Sequence, residues 1–162
     1  MRIAILGTFL TLALSAQTIS VSQLGLWEDP PEKTLGQLWS AAAQNPKSVA
    51  ARVNIGYALL SENRLQQAEW AAREAVELDP SNAQAQLILG WTLAREYRYT
   101  AEALDCLRRA AAAFPVAHLG AADVLAHQGS PAEARAEIES YLTTGATDYR
   151  VPAQSWLKRL SN

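Results

Sequence analysis

A repeat of about 34 residues constrains the fold of this chain more than any other feature of its sequence. The run Ile55–Leu59 (IGYAL) returns 34 residues later as Leu89–Leu93 (LGWTL). Three downstream positions return after 35 residues: Ala68, Ala75 and Pro80 as Ala103, Ala110 and Pro115. A unit of this length cannot bury its apolar face alone, so it stacks on copies of itself. The sequence therefore predicts a repeat architecture.

Each copy predicts two helices separated by a polar turn. In the first copy, residues 61–64 (SENR) interrupt the apolar pattern, and Asp79-Pro80 ends the second helix because proline lacks a backbone donor. The alanines of the second helix recur at spacings of three and four, which places them on one stripe and favours close helix contact. Gly56 and Gly90 fall inside helices, where glycine costs about 1 kcal/mol relative to alanine. We therefore expect a neighbouring helix against each of these glycines.

The pattern resembles the tetratricopeptide repeat, whose signature combines Trp-x2-Leu-Gly-x2-Tyr, Ala-x3-Phe and a later Pro. Matching positions occur in both copies: Ile55, Gly56, Leu59, Ala68, Ala72, Ala75 and Pro80, then Leu89, Gly90, Leu93, Ala103, Leu107, Ala110 and Pro115. Arg52 and Gln86 depart from the signature, because the family usually has Trp or another large apolar residue there. One extra residue lies in the turn near residues 97–100. An ordinary amphipathic helix bundle is the alternative fold.

The resemblance implies an all-α fold, a right-handed solenoid of helical hairpins with about three repeats. The expected boundaries within residues 32–160 are an N-terminal helix 32–45, repeats 49–82 and 83–115, a short repeat 116–145 and a capping helix 150–160. The capping helix carries apolar residues on one face, which would seal the end of the stack: Ala153, Trp156, Leu157 and Leu160.

The third repeat is shorter, and its register is open. Either Ala122 or Gly120 can occupy the small position of its first helix. Gly129 is expected to end that helix, because a left-handed residue is usual there. The run Ser130–Glu133 (SPAE) predicts a capping box with proline at the first helical position, and Gly145 is expected to end the second helix.

Residues 1–16 predict a secretory signal peptide, with Arg2 before an apolar run and small residues at 13–16 for cleavage. Residues 17–31 predict a polar linker. The alternative is an uncleaved N-terminal helix that anchors the chain in a membrane. Against it, the run 3–21 is polar in its second half, and a span needs roughly 20 apolar residues. We expect an exported protein, periplasmic or secreted.

Charge and cysteine content narrow the functional class. The chain of 162 residues carries 14 Lys and Arg against 16 Asp and Glu, a net charge of −2, with the charges interspersed. This balance argues against nucleic-acid binding, which favours a basic patch. The single cysteine, Cys106, excludes an intramolecular disulfide. We expect it to be buried, although an exposed thiol could pair with another chain.

The sequence offers little for catalysis or metal binding. His118 and His127 are nine residues apart, so they do not share a helix face as metal ligands would. Glu133, Glu137 and Glu139 are interpreted as a solvated helix face rather than an acid/base pair. No paired-cysteine motif, glycine-rich phosphate loop or nucleophile elbow occurs. We expect no enzymatic activity, no metal and no cofactor. A small helical hydrolase is the alternative, and the lack of a clustered nucleophile and base argues against it.

The resemblance also implies a concave groove that is lined by the first helix of each repeat and takes extended or helical peptides. By repeat position this candidate groove comprises Asn54, Tyr57, Gln84, Ile88, Trp91, Arg95, Asp123 and His127. Tyr57 and Trp91 would form an apolar platform. Asn54, Gln84 and Arg95 would bond the backbone or a carboxylate of the partner. The alternative is that both aromatics only fill space between repeats.

Some members of the family grip an acidic chaperone C-terminus with a clamp of lysine, asparagine and arginine. The corresponding residues here do not match: Val53, Tyr57, Ile88, Val116 and Gly120. We therefore expect another protein or peptide partner, bound by a non-catalytic adaptor or assembly factor in a cell envelope or secreted complex. The alternative is a membrane-anchored structural subunit of an envelope complex. Homo-oligomers could form through Trp27 or Trp70.

Overall fold

The computed structural model describes residues 34–160, so the predicted signal peptide and linker lie outside the described residues. The regular structure in this range consists of helices: α1 Leu35–Gln44, α2 Val49–Ser61, α3 Leu65–Leu78, α4 Ala83–Arg95, α5 Ala101–Ala111, α6 Ala117–His127, α7 Pro131–Thr143 and α8 Arg150–Arg159. The all-α prediction is thereby confirmed. No helix between residues 34 and 160 has the length and apolar character needed to cross a membrane.

The helices form two layers. They pair as the hairpins α2/α3, α4/α5 and α6/α7, and each hairpin packs on the next through α3 with α4 and α5 with α6. The first helices also touch across the repeats, α2 with α4 and α4 with α6. They therefore make up one layer, and the second helices α3, α5 and α7 make up the other. Leucine, isoleucine and alanine fill the core between the layers.

Both mid-helix glycines lie against neighbouring helices, as predicted. A Cβ atom added at Gly90 would lie 2.7 Å from Leu107 Cγ on α5. At Gly56 it would lie 3.4 Å from Ile88 Cγ2 and 3.6 Å from the backbone nitrogen of Ala72. The predicted alanine stripe is also confirmed, since its members have no exposed surface: Ala68, Ala72, Ala75, Ala103 and Ala110. Small side chains thus line the contact between the two layers.

Each first helix is followed by a residue with a left-handed backbone. The φ angle is 60° at Asn63, 58° at Tyr97 and 76° at Gly129. Glycine adopts this region at no steric cost, and asparagine visits it more readily than other side chains. Tyr97 therefore holds a strained backbone, in the same turn that contains the extra residue of the second copy.

Equivalent hydrogen bonds close these three turns and fix the repeat register. The backbone nitrogen after the left-handed residue donates to Leu59 O at 2.9 Å, to Leu93 O at 3.0 Å and to Leu125 O at 2.9 Å, which is the Schellman pattern. The three leucines, called the Schellman leucines below, hence share one repeat position. Counting back three residues from Leu125 places Ala122, and not Gly120, at the small position of the third repeat.

The helix caps differ from expectation at two places. A capping box precedes α1: Thr34 Oγ1 accepts a hydrogen bond from Gln37 N, and Gln37 Oε1 accepts one from Thr34 N. The capping box predicted at Ser130–Glu133 is wrong, because the Ser130 side chain makes no cap hydrogen bond. With ψ at 63°, the Ser130 backbone departs from the extended conformation that directs a hydroxyl to the first turn. Pro131 occupies the first helical position as predicted.

The helix α8 covers the C-terminal end of the described stack. Ala153 and Trp156 are buried, whereas Val151 on the same helix is 71% exposed. The backbone nitrogen of Tyr149 donates to Tyr141 Oη at 3.0 Å, which ties the start of α8 to α7. This one-sided burial is what a capping helix requires.

Ion pairs join the second helices of the first two hairpins. Arg73 on α3 donates two hydrogen bonds to Glu102 on α5, at 2.6 and 2.9 Å. Arg73 Nε also donates to Glu69 at 2.8 Å, and Arg98 donates to the same carboxylate at 2.7 Å. Much of the charge on this surface is therefore satisfied within the protein.

Candidate protein-binding groove

The predicted concave groove would be lined by the layer of first helices, α2, α4 and α6. Two residues before each Schellman leucine stand Tyr57 on α2, Trp91 on α4 and Asp123 on α6. Since these helices touch one another in order, the three residues form one row across the layer. The structure thus brings together three predicted groove residues of very different chemistry.

The two aromatic members of the row are almost fully buried. Tyr57 exposes 7% of its surface and Trp91 exposes 6%. The indole lies against α6, since a Cβ atom added at Gly120 would be 3.4 Å from Trp91 Cζ2. Gly120 leaves room for this ring. Both aromatics therefore fill space between helices, and they offer a partner an edge rather than an open platform.

Two buried polar groups of this row lack hydrogen bonds. Trp91 Nε1 has no hydrogen-bond partner among residues 34–160. Asp123 is 1% exposed, and within the same range neither of its carboxylate oxygens accepts a hydrogen bond. Burial raises the pKa of Asp123 to about 8, because the charged form loses its solvation. The Asp123 side chain therefore lies beneath the groove surface, and its predicted place on that surface is wrong.

A stacked aromatic pair lies beside the buried carboxyl group. The rings of His127 and Tyr99 are parallel within 3°, with their centroids 3.9 Å apart. His127 Nδ1 lies 2.9 Å from the carbonyl oxygen of Asp123 and 3.5 Å from its Oδ1. Gln128 Nε2 donates to the carbonyl oxygen of Tyr99 at 2.8 Å, which holds the loop in place. One third of the His127 side chain is exposed (33%), so this His127–Tyr99 stack can be reached from solvent.

Arg95 is engaged inside the protein. Its Nη1 donates to Leu60 O at 3.0 Å, and its Nη2 donates to Asn63 Oδ1 at 2.7 Å. Leu60 O lies at the C-terminal end of α2, where the helix dipole favours a cation, and Asn63 lies in the turn that follows. Burial lowers the pKa of Arg95. Arg95 therefore joins the first two repeats, and a bond to a partner would compete with these contacts.

The remaining predicted residues divide between surface and core. Asn54 on α2 and Gln84 on α4 are half-buried, with part of each side chain open to solvent. Ile88 is 1% exposed and belongs to the core, so its predicted place on the groove surface is wrong. Besides Arg95, which is also half-buried, the predicted residues with exposed surface are Asn54, Gln84 and His127. We take Asn54, Gln84 and the His127–Tyr99 stack as the surface open to a partner. This set is called the accessible groove below.

Sequence reasoning missed Tyr99 and an ion-pair cluster around the buried Glu137. Glu137 on α7 is 8% exposed; it accepts from Arg108 Nε at 2.7 Å and lies 2.8 Å from His118 Nδ1. Burial would raise the pKa of Glu137, but hydrogen bonds and charges from His118 and Arg108 outweigh it and lower that pKa. The interpretation of Glu137 as part of a solvated face is therefore wrong. Helical periodicity gives no sign that an arginine of α5 reaches this face.

Groups with potential reactivity are dispersed or shielded. In the described part of the chain, no three or more His, Cys, Asp and Glu side chains are placed to hold a metal ion together. Cys106 is buried as predicted, and burial raises the pKa of its thiol to about 11. The thiol is therefore protonated at neutral pH and a poor nucleophile.

The two-layer stack of hairpins defines a class, that of helical repeat proteins with units of about 34 residues. A profile described as Tetratricopeptide repeat matches residues 63–104 and 100–149. Together these segments cover more than half of the chain. The protein belongs to the tetratricopeptide repeat family.

Solved structures share this fold at low sequence identity. The crystal structure of MamA is similar with a TM-score of 0.63 and 19% identity, over 78% of this chain and 84% of MamA. TTC0263, a thermophilic tetratricopeptide repeat protein of Thermus thermophilus, gives 0.64 and 21%, over 76% and 71%. YrrB, a tetratricopeptide repeat protein with an unusual peptide-binding site, gives 0.69 and 21%, over 78% and 66%. No curated protein sequence matches the chain.

Proposed function

We propose that this protein is a non-catalytic adaptor or assembly factor that holds a segment of a partner protein in the accessible groove. The observation that carries the proposal is the layer of touching first helices, which presents half-buried Asn54 and Gln84 together with the His127–Tyr99 stack. Amide side chains both donate and accept hydrogen bonds, which suits the backbone of a bound peptide. Stacked rings add a rigid apolar contact with a polar tip. The proposal includes no catalytic step, because the Cys106 thiol is buried and no three metal-binding side chains converge among residues 34–160.

The test is a pull-down from the envelope fraction of the native cell, with circular dichroism as the check on folding. The double variant Asn54→Ala/His127→Ala removes exposed contacts, and we expect it to retain the partner at least about tenfold less than wild type, a loss typical of interface contacts. The matched control is Gln154→Ala/Glu139→Ala, which alters exposed residues of α8 and α7. Trp91→Ala is a poorer test, since a buried cavity there would cost about 3–5 kcal/mol of stability.

Each result of the pull-down bears on the proposal. A partner lost by the groove variant and kept by the control would place binding in the accessible groove. A partner kept equally by both would move the binding site to another surface. A clean failure to retain any partner would favour a purely structural or self-associating role.

We also propose that the protein is exported by its leader, residues 1–16. The proposal is supported by the charged start, the apolar run and the small residues before the cleavage point. Mass spectrometry of the mature protein is the test, and an N-terminus near residue 16 or 17 is expected. A retained Met1 would instead favour the membrane-anchored structural subunit.

A further inference from the structure

One repeat position is closed by an ionisable contact in the first and third hairpins. It lies seven residues before each Schellman leucine, on the first helix. In the first hairpin, Arg52 Nε lies 2.8 Å from Glu74 Oε2 on α3. In the third, His118 Nδ1 lies 2.8 Å from Glu137 Oε2 on α7. Each contact joins the two helices of its own hairpin at this level.

The second hairpin lacks both carboxylates. Equivalent residues are counted from the buried alanine near the start of each second helix. By this count Cys106 stands where α7 has Glu137. Arg109 stands where α3 has Glu74. On the first helix, Gln86 has no carboxylate to bind, and its Nε2 donates instead to a carbonyl oxygen of the preceding loop at 2.9 Å.

A cavity of about 250 Å³ lies at this level, between α3, α4 and α5. Val76, Leu89 and Cys106 give it an apolar wall. Gln86 also lines it and is 4% exposed, and its Oε1 accepts no hydrogen bond from any residue that the structure describes. A buried acceptor without a donor costs free energy, so a ligand that brings a donor would recover that cost.

The rim of the cavity carries charges that are mostly paired with one another. Arg73 binds Glu102 at 2.6 Å, and Arg109 Nε lies 2.8 Å from Asp105 Oδ2. Glu77 completes the rim and is exposed. Such a rim favours a neutral ligand over an ion. The two guanidinium groups could also rest against the face of an aromatic ring.

We propose that this cavity receives a tryptophan side chain of a partner protein, with the indole N–H donating to Gln86 Oε1. Because Oε1 has less than 1 Å² of accessible surface in the free protein, the Gln86 side-chain amide turns toward the cavity when the indole binds. The indole has one donor, no acceptor and a large apolar body, which matches a single buried acceptor in an apolar wall. The cavity is smaller than the roughly 300–1,000 Å³ of small-molecule sites, as suits one large side chain.

The site lies on the side of the second helices, away from the accessible groove, and does not depend on the proposed function. The test uses the full chain labelled with ¹⁵N and titrated with acetyl-Gly-Trp-Gly-amide. We expect saturable shifts of the Gln86 side-chain amide and of the Leu89 and Cys106 backbone amides, with a Kd on the order of 1 mM. The same peptide with 1-methyltryptophan lacks the N–H donor and should bind about tenfold more weakly.

A pair of variants isolates the acceptor. Gln86→Leu removes Oε1 and should abolish the preference for the unmethylated peptide. Gln66→Leu makes the same change on an exposed part of α3 outside the cavity and should keep it. Should Gln86→Leu fail to fold, the comparison of the two peptides on wild type still decides the matter.

Several results would overturn the proposal. They include no shifts at the cavity, equal binding of both peptides, and shifts confined to the stacked Trp39–Trp70 pair, whose centroids are 5.6 Å apart. Binding of free indole without binding of the peptide would assign the cavity to a small molecule instead. Binding that appears only after Trp27→Ala would assign it to the N-terminal part of this same chain.

Discussion

The same repeat position holds tyrosine, tryptophan and aspartate in the three copies, and the aspartate has the least favourable surroundings. Asp123 is buried without a hydrogen bond from residues 34–160 to its carboxylate oxygens. Burial therefore determines whether this carboxyl group is charged near neutral pH. The sequence placed Asp123, Arg95 and Glu137 on the correct helices. Arg95 and Glu137 bind groups on other helices and turns, and the Asp123 carboxylate accepts no hydrogen bond from residues 34–160. Spacing along a single helix therefore could not predict the burial or the hydrogen bonds of these residues.

We expect Asp123 to make the protein less stable as the pH rises from about 4 to 8. The ordinary pKa of the carboxyl group is 3.8, and the folded value is about 8. The folded state therefore binds more protons in this window, and the free energy of unfolding falls as the pH increases. Asp123→Asn removes this titration and should stabilise the protein at pH 8 by about 1–3 kcal/mol, with little effect at pH 4.

Urea unfolding of wild type and variant at both pH values measures this difference. Asp148→Asn replaces an exposed aspartate and is the control, and it should leave the free energy of unfolding unchanged at both pH 4 and pH 8. If Asp123→Asn changes stability equally at pH 4 and pH 8, the carboxyl group does not titrate as inferred.

At the scale of single helices, close packing was predictable, and end geometry was predictable only in part. Gly129 is left-handed and Pro131 occupies the first position of α7, as predicted. Gly56 and Gly90 lie inside helices at a cost, so a neighbour against each of them could be inferred from the sequence alone. The failed capping box at Ser130 shows the limit. Its residue types fit the motif, but the backbone that directs the hydroxyl is set by the turn before it. The left-handed backbone of Tyr97 is likewise imposed by the turn in which the residue lies.

Gly90→Ala should lower the free energy of unfolding by about 1–3 kcal/mol, the range for an overpacked contact. The new Cβ atom would lie 2.7 Å from Leu107 Cγ and 3.2 Å from the Ala103 carbonyl oxygen, so α5 must move away. Gly36→Ala is the matched control, because Gly36 is exposed on α1 and its added Cβ meets nothing closer than 3.9 Å. There, alanine should stabilise the helix slightly. Thermal unfolding compares the two, and equal melting temperatures would contradict the close contact.

At the scale of the whole molecule, each hairpin is stabilised by its contacts with the hairpins next to it. Each hairpin packs on the next, and α8 covers the last one. The repeat period was enough to predict this order, since it fixes which unit follows which. It could not predict the cavity between α3, α4 and α5, because that cavity depends on Gln86 and Cys106 lining one space at a level where the third hairpin has a carboxylate.

Trp156→Ala should loosen the C-terminal hairpin before the rest of the stack. Removing a buried indole costs about 3–5 kcal/mol where the site cannot collapse. Because coupling runs through neighbours, amide hydrogen exchange should accelerate more in α7 than in α3. Val151→Ala, on the exposed side of α8, is the control and should leave both unchanged. Uniform acceleration throughout the chain would mean that the stack unfolds as a single unit.

Because the three hairpins share one fold, the residues at equivalent positions can be compared between them. Gln86→His together with Cys106→Glu would give the second hairpin the side chains that the third has in His118 and Glu137. Two substitutions at this level of the fold therefore separate a hairpin that lines a cavity from one that carries an ion pair. Duplicated units can in this way acquire different recognition surfaces independently, while the shared helices and turns keep the fold unchanged.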